Sequence, residues 1–425
     1  MLTDKHLKRI LPIDAEIVSA SKDIRVLSRL SWPASVCWEF LDSWHRREPR
    51  LPKVDYDRGG LEDCRARLVR CVRELSVFDD PLAEYLRATS NSYVTLCDLL
   101  SSAGTAEITV HSRTLYGSPG DPISSGHVDN LQAAQHFLDV GAEYYKRATL
   151  HEADYCLSAD IMKHELTARL TEVFEPDVVR VEIDPNMASK AAAGATRVRL
   201  RAGTCFSEYD MEQLLQHEAF VHSLTALNGR AQPNVKSLGL GAPRTTGPQE
   251  GLATFAELIT GSIDIGRLER IALRIIAIDR ALSGADFIEV FRYFLDAGQT
   301  ELESFASTMR VFRGAPTTGG SAFTKDVVYL HGLMEVHTFF RWAMQHQRLD
   351  LTRHFFAGRM TIADVMRLDP LFEQGILAPA RYLPPWLVRT NGLAAYLAFS
   401  VFANRITVDE LDEHHVFERV SDLGM

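Results

Sequence analysis

No C-x-x-C pair occurs anywhere in the sequence, and the six cysteines (Cys37, Cys64, Cys71, Cys97, Cys156 and Cys205) are scattered along it. That scatter excludes a cysteine-built zinc knuckle and is expected of reduced thiols in a cytosolic protein. Long apolar runs are also missing. The longest, Leu393 to Ala403, includes a serine and is too short to cross a bilayer. Met1 to Pro12 lacks the apolar core of a signal peptide, so neither a membrane partner nor export is expected. Excess positive charge is absent as well. A net charge of -10 argues against nucleic acid as a partner, and the small cluster Arg46, Arg47, Arg50 and Lys53 reads as a solvated loop. No internal repeat or low-complexity tract is visible.

What the chain does have is length and apolar content. With 425 residues, 46% of them hydrophobic, it can bury a sizeable core. The chemistry concentrates in His217-Glu218-Ala219-Phe220-Val221-His222 and, downstream, Gln249-Glu250-Gly251-Leu252-Ala253. Two imidazoles, a carboxylate beside the first and another on the following helix make up the donor set of a catalytic zinc site with an open fourth position. The histidine spacing needs care. Histidines four apart leave a helix on nearly one face, but five apart they stand about 140° away from each other in a regular α-helix. A π-bulge absorbs the extra residue, so the motif predicts a local distortion between Glu218 and His222.

The surroundings support that reading over an ordinary amphipathic helix. Ser207 and Asp210 form a capping-box-like start, and Met211, Leu214, Leu215 and Leu224 make an apolar stripe. Glu218 falls one turn beyond Leu214 on that stripe, where a carboxylate is costly unless paired or beside a metal. Gly247 as N-cap and Pro248 as first helical residue would put Glu250 in the first turn. Gly251, just after it, costs about 1 kcal/mol relative to alanine inside a helix and signals close approach of something bulky. Glu257, two turns beyond Glu250, is a candidate to orient a metal-bound histidine, or else a surface carboxylate.

In chain order, helical periodicity covers Ile17 to Leu30, Leu61 to Leu75 and Pro81 to Leu100, a helical N-terminal lobe over 1–103. Glu107 to Arg113 reads as a strand, Tyr116 to His127 as a loop, and helices are expected to about Phe174. Val178 to Asp184 and Arg197 to Phe206 read as strands. The second is expected at a sheet edge beside the motif helix, either receiving extended substrate or carrying arginines against aggregation. Asn228-Gly229 reads as a helix stop, and the rest, to the end of a 104–425 domain, is mainly helical. The acidic tail Asp409 to His415 reads as a solvated face.

A later segment runs from Arg310 and Arg313 through Gly319-Gly320 to Lys325, Tyr329 and His331. Glycines before a helix start expose backbone N–H groups, and the cations beside them suit an anion. Arg313 or Lys325, with Arg310 nearby, is the candidate holder of a substrate carboxylate, and Tyr329 the candidate donor to an oxyanion. His331 is a weaker candidate proton donor.

Together LLQHEAFVHSLTALNG, TTGPQEGLATFAEL, RVFRG and GGSAFTKDVVYL resemble the QEGLA-motif family, labelled flavohemoglobin expression-modulating proteins, which includes the microtubule-associated tyrosine carboxypeptidases of animals. The resemblance implies an α+β, mostly helical, zincin-like metallopeptidase. His217, His222 and Glu250 match the family's zinc ligands and Glu218 its catalytic glutamate. The chain lacks a long basic extension and is acidic, so a peptide or protein C-terminus other than an acidic tubulin tail is expected as substrate. A regulatory protein with a structural metal, or a maturation peptidase for one modified peptide, are the competing readings.

Overall fold

A computed structural model describes residues 4–123, 128–147, 156–185, 187 and 190–403. It is mostly helical with two small sheets, an α+β architecture. The N-terminal helices Asp4–Ser21, Glu62–Leu75 and Pro81–Ser101 bury stripes such as Ile10, Ile17, Leu68, Leu86 and Leu100. Their apolar faces share one core with Phe220, Phe255, Phe340 and Leu397 far along the chain. A second cluster packs Phe287, Phe291 and Phe305 around Phe40.

The expected strand at Glu107 to Arg113 is a helix, Ile108–Tyr116. Its alternating isoleucine and valine mimic a strand, yet the buried residues are Ile108, Thr109, Ser112 and Tyr116, a helical spacing. Tertiary contact decides the matter. Thr109 Oγ1 donates to the Ala322 carbonyl at 3.2 Å, and Ser112 Oγ lies 3.0 Å from Thr324 Oγ1. The actual strands are a two-residue ribbon, β1 (Pro122–Ile123) with β2 (Val128–Asp129), and a sheet of β3 (Arg180–Asp184), β4 (Ala191–Ala193) and β5 (Arg197–Arg201).

The sheet order is β3-β5-β4, with β3 parallel and β4 antiparallel to β5. The arginine-bearing strand is therefore central, not an edge. Its arginines serve cross-strand pairing, Arg197 to Glu182 at 3.5 Å and Arg199 to Asp184 at 3.2 Å. The edge beside the motif is the three-alanine strand β4.

Two further expectations are corrected. The helix through Asn228-Gly229 continues to Ala231, and Gly229 is there because a side chain would collide with the backbone of Leu238. Cys156 and Cys205 are joined by a disulfide, while Cys37, Cys64, Cys71 and Cys97 are free. The antiparallel bridge between Leu157 and Phe206 brings the pair together, a long-range contact that spacing along the chain does not reveal. No described helix is long and apolar enough to cross a membrane. The acidic tail lies outside the described residues.

Candidate metal centre

The motif helix begins as drawn from its sequence. Ser207 accepts from the Asp210 amide and Asp210 answers to the Ser207 amide, a complete capping box on Glu208–Leu214. The chain then enters a π-helix, Leu215–Ser223, which contains the whole motif. The i to i+5 turn brings the histidines onto one face, their rings edge to face with centroids 4.8 Å apart. An α-turn could not have done this.

Glu250 reaches the pair from the helix Thr246–Ile259. This helix starts earlier than expected, after a 3-10 turn at Pro243–Thr245, so Glu250 sits in its second turn rather than its first. Glycine-to-glycine packing places it. A side chain on Gly251 would overlap the Gly332 backbone, and one on Gly332 would strike the Gly247 carbonyl. Helix Val328–Gln345 therefore lies directly on the Glu250 helix, which carries Lys325 and Tyr329 to the same cleft.

Glu250 Oε2 lies 3.4 Å from His217 Nε2 and 3.5 Å from His222 Nε2. Two donors each about 2.05 Å from a shared tetrahedral ion stand roughly 3.4 Å apart, so this donor set fits a divalent cation. Behind it, His217 Nδ1 is 2.6 Å from Glu257 Oε1. Burial pushes the Glu257 carboxyl up, but Arg267, His217 and Gln213 outweigh burial and hold it at about 2. An ionised Glu257 makes Nδ1 the donor, which leaves Nε2 free to bind metal. Arg359 holds the backbone of the other histidine, donating to the His222 carbonyl at 3.1 Å.

Glu218 lines the cleft beside His217 and His222, and its Oε2 accepts the Ala193 amide at 2.9 Å. The cleft, about 250 Å³, is also lined by Ala191, Ala192, Arg313, Phe323, Lys325 and Tyr329. The three expected cations have separate fates. Arg310 is spent on Asp326, with two bonds of 2.6 Å, and Lys325 Nζ is 3.2 Å from Glu250 Oε1. Arg313 lies in the cleft with its Nε unpartnered. Burial and the neighbouring Arg310 lower its pKa. His331 faces Asn130 and Glu335 and does not line the cleft.

Sequence reasoning missed β4, Ser223, Arg267 and Arg359. An alanine triplet carries no strand signal, and the other three act through partners distant in the chain.

A family model described as microtubule-associated tyrosine carboxypeptidase matches residues 39–405. The chain belongs to this family. The match contains the motif, the Glu250 helix and the Arg310 to Tyr329 segment, so every cleft residue of this carboxypeptidase-family chain lies within it. No curated protein matches the chain.

Proposed function

We propose that the chain is a zinc-dependent carboxypeptidase that removes C-terminal residues from a peptide or protein. The observation carrying this reading is the convergence of His217, His222 and Glu250 at tetrahedral donor spacing, with Glu218 adjacent and Arg313, whose Nε has no hydrogen-bond partner among the described residues, in the same cleft. His217, His222 and Glu250 would hold a zinc ion, which would supply Lewis acidity and lower the pKa of water toward neutral.

The protein's own groups do the rest. Glu218 takes the proton of the attacking water and passes it to the leaving amine. Its Oε2 is occupied by the Ala193 amide, which leaves Oε1 for proton transfer. Tyr329 is the proposed donor to the tetrahedral oxyanion. Because Lys325 and Arg310 already face carboxylates, Arg313 is the cation proposed to pair with the substrate's free carboxylate. The rings of Phe323 and Tyr329 suit an aromatic terminal residue, in keeping with the family's description.

Metal analysis of the purified protein, followed by mass spectrometry of peptide libraries with and without chelator, tests the proposal. Chelator-sensitive loss of single C-terminal residues is expected. Internal cuts would overturn the carboxypeptidase assignment, and Glu218→Gln should keep metal while losing turnover.

A further inference from the structure

The π-turn aligns two pairs of side chains. His217 and His222, five apart, converge on the metal position; Glu218 and Ser223, also five apart, both reach the end of strand β4. Glu218 Oε2 accepts the Ala193 amide at 2.9 Å, and Ser223 Oγ donates to the adjacent Gly194 carbonyl at 2.7 Å. Ser223 is fully buried. In a regular α-helix the second pair would diverge by the same angle as the first, about 140°, and one of the two contacts to the strand would be lost.

We propose that Ser223 is a positioning residue for Glu218, acting through residues 193 and 194. Anchoring the Gly194 carbonyl keeps the Ala193 amide aimed at Oε2, and that bond holds the carboxylate in one rotamer with Oε1 toward the cleft. The same anchor holds β4 in place. Its partner on one side is β5, through the register Ala191↔Leu200 and Ala193↔Val198, and its other side faces the cleft. Without that anchor, this end of β4 keeps its pairing with β5 and the Gly194 amide bond to the Arg197 carbonyl at 2.7 Å, but loses its tie to the helix that carries the motif. The inference rests on the base role given to Glu218 above.

Amide hydrogen exchange across 190–196, measured on the full chain together with metal content and steady-state kinetics, provides the test. In Ser223→Ala the Ala193 amide should exchange roughly tenfold faster, the loss of one hydrogen bond. The turnover number should fall by a similar factor, with metal content unchanged. Ser223→Cys, close in size with a weaker donor, should lie between. Unchanged Ala193 exchange in Ser223→Ala, or slowed turnover accompanied by metal loss, overturns the proposal. If Glu218→Gln retains full turnover, the base role fails on its own, whatever Ser223 does to exchange.

Discussion

Glu257, with no exposed surface, receives the Nδ1 proton of His217 at 2.6 Å, forty residues away in sequence. The bond selects the histidine tautomer that can bind metal, and Gln213 at 2.8 Å with Arg267 at 3.4 Å holds the carboxylate in place. Glu257→Gln should therefore weaken zinc affinity by about 10–100-fold. Chelator competition measures this, and an unchanged affinity would remove Glu257 from the metal's support.

The contact between Gly251 and Gly332 leaves no room for a methyl group. Gly251→Ala has to push apart the helices carrying Glu250 and Tyr329. A loss of at least about 2 kcal/mol of stability is expected, as for overpacking of a tight core. Thermal unfolding and metal content should both report it; an unshifted Tm would mean the helices can separate without strain.

Arg313 and Lys325 should separate cleanly. Arg313→Gln is expected to lower kcat/KM for peptides with a free C-terminus roughly tenfold or more, the worth of a charge-assisted hydrogen bond. Amidated peptides should be insensitive to the change. Lys325→Gln instead leaves Glu250 without its cation, so metal retention should suffer first. Equal sensitivity of free and amidated peptides to Arg313→Gln would rule out its contact with the carboxylate.

Acid stability should depend on Asp326. Burial raises its carboxyl pKa, but Arg310, Arg274 and Lys325 overcome that and hold it well below the usual range. A carboxyl with a lower pKa folded than unfolded stabilises the protein above its unfolded value, near 4, and that contribution fades as pH falls further. Asp326→Asn should be less stable than the parent at pH 7, with the gap narrowing below about pH 4. Urea midpoints across pH 3–7 would show it; a constant gap would contradict the assignment.

The convergence of His217, His222 and Glu250, and the distortion that brings the two histidines together, were legible in the linear chain. Histidines five apart can share an ion only if the helix is widened locally to take one extra residue into its turn, so the spacing itself dictated the π-turn found at Leu215–Ser223. Gly251 likewise announced a close neighbour, because an interior helical glycine has little other use. Sequence could not say which neighbour. That Gly332 meets it, that Lys325 pairs with Glu250, that Arg310 is neutralised by Asp326, and that three alanines form the strand beside Glu218 are products of the fold. The physical difference is range: helical phase is set by a few consecutive residues, whereas ion pairing and strand order depend on which surfaces the whole core brings into contact.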